Sequence, residues 1–149
     1  MNDLDDLTAW AGALLHKLDT RQRRALMRAV VTELRRRQSA RIAEQRNPDG
    51  TPYEPRKPRL RQRAGKVRRK MFARLRMARV MKARSDANSA VVAFAGYASR
   101  VAAVHQFGLR DRVNRVGNLE VRYARRELLG FGEGDLEALA DTLLFNLET

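Results

Sequence analysis

The stretch NPDGTPYEPRKP, residues 47–58, contains all four prolines of this 149-residue chain and separates two very different segments. Before it, a helical pattern from residue 20 toward residue 46 predicts a helix of about 26 residues, or roughly 39 Å. Pro48 is expected to stop that helix, because proline lacks an amide donor and disfavours helix in the preceding residue. Asp49-Gly50 is a strong turn signal. The remaining prolines favour an extended path into the residues that follow.

A basic run comes after these prolines, with nine positive charges and no acidic residue within residues 56–70. Because this run has almost no apolar content, we expect an exposed arm, or a loop that becomes ordered only when bound. We call residues 56–70 the basic arm; it ends a proline-bounded loop, residues 47–70, of a single domain spanning residues 1–149. The charged residues of the arm are Arg56, Lys57, Arg59, Arg61, Arg63, Lys66, Arg68, Arg69 and Lys70.

Charge is distributed unevenly along the chain, whose formal net charge is +14. Residues 21–84 hold 23 Lys and Arg against 4 Asp and Glu, whereas the remaining residues hold 8 against 13. Such asymmetry indicates a surface for a polyanion or for an acidic protein partner. The alternative is a set of solvated helix faces, although alternating signs are more usual there.

Helical periodicity dominates both ends of the chain. Leucines and alanines between Leu4 and Leu18 recur at spacings of three and four, and the same pattern returns after Asp135. Asp19 or Thr20 is a plausible N-cap for the long second helix. The second half of that helix offers only Ile42 and alanines for burial. We therefore expect it to project from the core or to lie against another subunit.

The middle of the chain predicts short elements. We expect a short helix around Met71, Phe72 and Leu75, a hairpin over residues 79–96, and a short helix ended by Gly108. A second β-excursion should turn near Gly117 and the residue after it. The predicted fold class is therefore α+β, with long N-terminal helices, a small antiparallel β-sheet built from hairpins, a C-terminal helix and a basic extended arm.

Residue chemistry argues against an enzyme. The chain has no cysteine and no phosphate-binding glycine loop of the GxxxxGK[ST] or GxGxxG type, and no HxxxH, HExxH or DxD arrangement accompanies His105. Its two histidines, His16 and His105, are interpreted as structural. We expect no catalytic residues, no cofactor and no metal site. No apolar run approaches twenty residues and no secretion signal is recognisable, so no membrane partner is expected either, and the beginning of the chain is typical of an intracellular protein.

Nucleic acid is a possible ligand of the basic arm. Such arms neutralise phosphates, with an affinity that falls steeply with salt, but they read no sequence by themselves. Only Tyr53 and Phe72 flank the run, so stacking on single-stranded bases is not expected. Residues 20–46 contain no internal turn, which excludes a helix-turn-helix motif there.

Four stretches together resemble the phage virion morphogenesis family: RNPDGTPYEPRK, VRRKMFARLR, VHQFGL and YARRELLGF, in this order. The most specific parts are the DG-x-P-Y loop, the V-H-Q-F-G box and the aromatic-x-x-R-x-L-L-G-F box. The family usually has two prolines in the last box, which are absent from residues 123–131 here. The matching residues are Asp49, Gly50, Pro52, Tyr53, His105, Gln106, Phe107, Gly108, Arg126, Leu128, Leu129, Gly130 and Phe131.

The resemblance implies a structural, non-enzymatic role in the virion. It implies completion of the tail and preparation of its head-proximal end for joining to the head, after assembly in the bacterial cytoplasm. Related proteins form rings, commonly sixfold, in the neck. The implied partners are further copies of the chain, tail tube or tail terminator proteins, head–tail connector proteins and passing double-stranded DNA. The motif residues could serve core packing around a helix end or subunit contact.

Two further hypotheses remain open from the residues alone. The excess of positive charge over residues 21–84 also suits a stand-alone DNA-binding protein, such as a packaging or regulatory factor. A scaffolding or host-directed factor that is absent from the finished particle is the third possibility.

Overall fold

The computed structural model describes residues 2–56, 70–113 and 116–148. It has an α+β fold, which confirms the predicted class. The elements in chain order are α1 (Asp3–Leu15), α2 (Thr20–Ala43), β1 (Met81–Ser85), β2 (Ala90–Phe94), α3 (Gly96–Phe107), β3 (Arg110–Arg112), β4 (Glu120–Arg122) and α4 (Asp135–Glu148).

Helix α2 is the central element, and its start was predicted correctly. Asp19 accepts a hydrogen bond from the Gln22 amide, and the Gln22 side chain accepts one from the Asp19 amide, which forms a capping box. The helix finishes at Ala43, short of the predicted end at residue 46 and before Pro48 is reached, so the predicted end was too late. Gln45 takes a left-handed conformation (φ 58°), and its side chain bonds to both the amide and the carbonyl of Met71. The turn is thus made by long-range bonds before the proline is reached.

Helices α1, α2 and α4 form one layer with its own apolar core. Leucines at helical spacing in α1 and α4 meet the N-terminal half of α2, as their periodicity predicted. The buried residues of this cluster are Leu15, Leu26, Val30, Leu139 and Leu143. No helix in the described part of the chain is both long and apolar enough to cross a bilayer.

A second core lies at the other half of α2. Its buried members are Ile42, Tyr53, Met81, Ala102 and Leu128. Ile42 is completely buried there, and Gln38 is also buried. The prediction that this half projects from the core or awaits another subunit is therefore wrong. Its polar side chains bond to distant backbone, so the helix needs few apolar residues to pack.

Two separate two-stranded antiparallel sheets complete the fold. Strands β1 and β2 pair Met81 with Phe94 and Ser85 with Ala90, and they pack against α2. Strands β3 and β4 form the second predicted excursion. Helix α3 ends at Gly108, whose left-handed conformation (φ 63°) favours glycine.

The predicted helix around Met71, Phe72 and Leu75 is absent. These residues form consecutive turns, in which Phe72 has a positive φ of 66°. All three side chains pack onto the second core. Burial of these side chains therefore outweighs the local helical pattern.

Candidate functional site

The three sequence motifs meet at one place in the fold, beside the C-terminal half of α2. The Tyr53 hydroxyl donates to the Glu127 carbonyl at 3.0 Å, and Asn47 Oδ1 accepts from the Glu127 amide at 2.9 Å. Gln106 bonds to the backbone of the same segment. We call residues 47–53, 105–108 and 126–131 together the motif junction.

The DG-x-P-Y motif builds a closed turn. The Asn47 amide donates to the Thr51 carbonyl at 2.8 Å, and Asp49 Oδ1 accepts from the Thr51 amide at 2.9 Å and its hydroxyl at 2.5 Å. These bonds lower the pKa of Asp49. Gly50 has a φ of 88°, which a larger residue would adopt only with strain. Asp49, Gly50 and the exposed Pro52 thus hold the chain in the direction that buries Tyr53.

Tyr53 is the buried anchor of this turn. It is 4% exposed, and its amide donates to the Gln45 carbonyl at 2.7 Å. Burial raises the pKa of Tyr53 to about 12, so the hydroxyl remains a hydrogen-bond donor at neutral pH. The proline-bounded loop is therefore attached to the core near its beginning, at Tyr53.

Gln106 explains why the V-H-Q-F-G box needs an amide side chain. Its oxygen accepts from the amides of Leu128 at 2.8 Å and Leu129 at 3.0 Å, and its nitrogen donates to the Leu129 carbonyl at 2.9 Å. A carboxylate could accept but not donate, and an apolar side chain would leave these buried groups unpaired. Gly108 lies close to the same segment, since a Cβ there would be 3.2 Å from Arg125.

Arg126 joins the last box to the start of the basic arm. Its Nε donates to the Glu54 carbonyl at 2.7 Å and one Nη to the Pro55 carbonyl at 3.2 Å, while its amide donates to the His105 carbonyl at 2.8 Å. The residue is only 6% exposed, and burial lowers the pKa of its guanidinium group. One arginine thus connects all three motifs.

Gly130 and Gly132 allow the last box to approach Pro48. A Cβ on Gly130 would lie 2.6 Å from Pro48 Cγ, and one on Gly132 would lie 2.8 Å from the Pro48 carbonyl oxygen. Gln38 Oε1 accepts from the Gly130 amide at 3.1 Å. The glycines are therefore required by close packing.

A charged cluster that sequence reasoning missed supports this segment from α2. Asp135 accepts from Arg37 at 2.6 Å, from Arg41 at 3.1 Å and from the Gly132 amide at 2.7 Å. Arg41 also donates to Gln38 at 2.6 Å, and burial lowers the pKa of Arg41. The only signal in the sequence was the polar character of a helix half that nevertheless had to pack.

His105 lies in a row of aromatic rings. Its ring centroid is 4.7 Å from that of Phe72 and 5.1 Å from that of Tyr123. Burial lowers the pKa of His105 to about 4, and the guanidinium groups of Arg126 and Arg56 act in the same direction. The imidazole is therefore neutral at pH 7 and packs as a ring. This arrangement agrees with the structural interpretation of His105.

The motif residues divide into a buried group and an exposed group. Leu128 is completely buried and Leu129 is half-buried, whereas Phe107 is 63% exposed and Phe131 44% exposed. Core packing thus accounts for most of the motif. It does not account for the two phenylalanines, which the fold leaves available for contact.

Most of the basic arm lies outside the described residues. Its two described ends are Arg56, which is exposed, and Lys70, whose Nζ donates to the Ala43 carbonyl at 3.0 Å. Lys70 thus lies at the C-terminal end of α2, and Arg56 follows Pro55, whose carbonyl accepts from Arg126 of the motif junction. The residues outside the description are Lys57, Arg59, Arg61, Arg63, Lys66, Arg68 and Arg69. Within residues 2–56, 70–113 and 116–148, no group of His, Asp or Glu has the arrangement of a metal site.

The polar groups of the motif junction are used to tie backbone segments together, and they leave aromatic and basic residues at the surface. The chain belongs to the phage virion morphogenesis family, whose model matches residues 2–148. It is 36% identical over 150 residues to tail completion protein S of Escherichia phage P2, with 99% of both chains covered. No solved structure gives a significant match.

This membership confirms the family expected from the motifs. It gives the chain a role in phage virion assembly, and the similarity to a tail completion protein supports a role in the tail, in contact with other virion proteins. The structure brings the three motifs together, while the role of their residues in subunit or partner contact stays a prediction. Gln38, Arg37, Arg41 and Asp135, which support the junction, were not predicted.

Proposed function

We propose that this chain completes the phage tail and forms part of the neck that joins the tail to the DNA-filled head. The observation that carries the proposal is the convergence of the three family motifs at one junction. That junction leaves Phe107 and Phe131 exposed, and its Arg126 binds the carbonyls of Glu54 and Pro55, directly before the basic arm. The similarity to a protein described as completing the tail supports the same role.

The proposed active form is a ring of identical subunits, most simply a hexamer, with the tail tube or tail terminator on one side and the head–tail connector on the other. Large apolar side chains that are exposed on several elements are available for contact between subunits. Among them are Tyr97, at 74% exposed, and Leu119, at 68%. Cyclic assembly places equivalent patches at every subunit boundary.

The basic arm is proposed to contact passing double-stranded DNA or an acidic surface of a neighbouring ring. Several arginines of α2 are already engaged within the chain. Arg35 donates to the carbonyls of Met81 and Arg76, and Arg37 and Arg41 hold Asp135. The positive charge that remains for a partner therefore lies in the arm and in the arginines that the fold leaves exposed, including Arg24 and Arg28 of α2.

Deletion of the gene from the phage that encodes it tests the proposal. The expected result is free tails and DNA-filled heads that do not join, seen by negative-stain electron microscopy, and joining upon addition of the purified chain. Infectious particles of normal appearance from the deletion strain would contradict it. A variant that keeps the fold but loses the contact, Phe107→Ser with Phe131→Ser, should also fail to join. The matched control changes two exposed residues elsewhere, Ala13→Ser with Ala25→Ser.

The rival function is stand-alone DNA binding, which is favoured by the 23 basic against 4 acidic residues over positions 21–84. It predicts duplex binding by the isolated chain, with an affinity that falls by about 0.9 log units per log unit of salt for each phosphate neutralised. Reversing Arg68, Arg69 and Lys70 to Glu separates the two functions. Loss of DNA binding with full infectivity would exclude DNA binding as the function of the arm. Loss of both DNA binding and infectivity would show that the arm is essential for the particle.

A further inference from the structure

Helices α1 and α4 are acidic, although the chain as a whole is strongly basic. Helix α1 has three acidic residues and α4 has four, and neither helix contains Lys or Arg. These two helices pack against each other. A positively charged surface would be attracted to these two helices, although the chain has a net charge of +14.

The exposed side of α4 combines acidic and apolar residues. Asp141, Leu144, Phe145 and Glu148 recur at spacings of three and four, so they share one face, and all four are exposed. Leu144 is 44% exposed and Phe145 69%. We call these four residues the α4 face.

A complementary surface lies at the base of the β3–β4 hairpin. A cleft of about 490 Å³ is lined there by Phe107, Tyr123, Arg122 and Arg125, together with Glu54 and small residues. Phe107 and the two arginines are exposed. We call this region the hairpin cleft. Its volume is within the range of clefts that accept apolar groups with a few charged partners.

The two surfaces match in chemistry. The hairpin cleft presents aromatic rings flanked by two arginines, and the α4 face presents an aromatic ring and a leucine flanked by two carboxylates. Arginine is suited to such contacts, because its planar group binds carboxylates and stacks on aromatic rings. Arg125 already pairs with Glu127 at 2.6 Å, but its side chain is 65% exposed and can rearrange at low cost.

We infer that the hairpin cleft of one copy of this chain receives the α4 face of a second copy. The presence of both complementary surfaces on one chain favours a second copy as the partner. A net charge of +14 opposes self-association unless opposite charges meet, and the same chain supplies both surfaces. Because the surfaces differ, the contact is head-to-tail, and it closes into a ring when the rotation between copies permits. The inference rests on the proposed function for its setting in a neck ring.

Charge reversal of either surface tests the contact. Arg122→Glu with Arg125→Glu makes the hairpin cleft acidic, and Asp141→Arg with Glu148→Arg makes the α4 face basic. Each variant alone should remain monomeric in analytical ultracentrifugation, with association weakened by about tenfold or more. An equimolar mixture should regain the size of the wild-type oligomer, because each reversed surface then meets an opposite one. Native mass spectrometry should show equal numbers of the two variants.

A matched control separates this contact from a general effect of charge. Arg21→Glu with Arg28→Glu produces the same change in net charge as the variant of the hairpin cleft, at exposed positions of α2, and should leave association unchanged. Circular dichroism confirms that every variant keeps its helical content. A monomeric wild type, reversed variants that still associate, or a mixture that fails to associate would each overturn the inference.

Tail completion in the same variants keeps the two proposals apart. If the reversed variants complete tails normally, the contact between copies is wrong and the proposed function stands. If the purified chain associates as described but deletion of the gene leaves virions intact, the contact stands and the proposed function is wrong. A wild type that stays monomeric while the acidic cleft abolishes tail joining would assign the cleft to a different protein.

Discussion

Replacement of Gly130 by alanine should destabilise the fold through one identifiable clash. The new Cβ would lie 2.6 Å from Pro48 Cγ, whereas carbon atoms prefer separations of about 3.5–4.0 Å. Overpacking of this kind costs about 1–3 kcal/mol in free energy of unfolding. For a chain of this size, that corresponds to a melting temperature lower by roughly 2–4 °C per kcal/mol.

The partner of the clash can be removed in turn. Pro48→Ala deletes Cγ, so the added methyl group on residue 130 then meets only Cβ, at 3.2 Å. A double-mutant cycle measured by urea denaturation compares the losses of unfolding free energy. The loss in the double variant should be smaller than the sum of the two single losses by about 1 kcal/mol or more. Gly132→Ala provides the contrast. Its clash is with the Pro48 carbonyl oxygen, at 2.8 Å, which alanine at position 48 retains.

Gly12→Ala is the control for the cycle. No atom lies within 4 Å of the position of its Cβ, and alanine within a helix should add about 1 kcal/mol of stability. Additive effects of Gly130→Ala and Pro48→Ala would refute the reasoning. Rescue of Gly132→Ala by Pro48→Ala would refute it as well. Removal of the proline ring would then relieve a clash with the carbonyl oxygen, so the rescue of Gly130→Ala could not be assigned to the ring.

Three further changes test other residues of the motif junction and the charged cluster around Asp135 that supports it. Asp135→Asn leaves Arg41 without its charged partner and should cost about 3 kcal/mol of unfolding free energy by urea denaturation, the lower end for a broken buried pair. Tyr53→Phe removes the 3.0 Å bond to the Glu127 carbonyl and should cost about 1 kcal/mol in the same assay. The pKa of His105, lowered to about 4 in the fold, makes stability fall with decreasing pH, because the unfolded chain takes up the proton first. This contribution is complete above pH ~6.5 and is lost progressively toward pH 4, so His105→Leu should reduce the acid sensitivity measured over that window.

Each of these changes has a matched control at an exposed position. Asp141→Asn, Tyr97→Phe and His16→Leu alter the same residue types outside the junction and should have small effects. Equal losses at Asp135 and Asp141 would show that the ion cluster contributes little. An unchanged pH profile in His105→Leu would show that other groups cause the acid loss.

The regular elements were predictable because their signals are local. The capping box at Asp19, the leucine spacing of α4 and the left-handed Gly108 all depend on residues within a few positions of each other. The failed helix near Met71 shows the limit of that reasoning. There, the Met71 amide donates to the side chain of Gln45, 26 residues away. Nothing in the local pattern indicates such a bond.

The convergence of the three motifs was not predictable from the sequence, and the functional role of their residues stays a prediction. Resemblance selected Tyr53, Gln106 and Arg126 as separate motif positions, and each turns out to bond to the backbone of another motif. The roles of Gln38 and Asp135 were not predicted, because neither residue belongs to a recognisable motif. Their roles arise only when segments some 90 residues apart are brought together.

The polar half of α2 shows why charge in a sequence does not measure free charged surface. Arg35, Arg37 and Arg41 lie in the most basic region of the chain, yet all three donate to groups within the fold. An arginine that satisfies backbone carbonyls or a buried carboxylate contributes to packing and is not available to a phosphate. Any DNA-facing role therefore depends on exposed residues such as Arg24 and Arg28 and on the basic arm. For this reason, reversal of the arm should affect a polyanion contact without loss of stability, whereas reversal of Arg37 or Arg41 should unfold the motif junction.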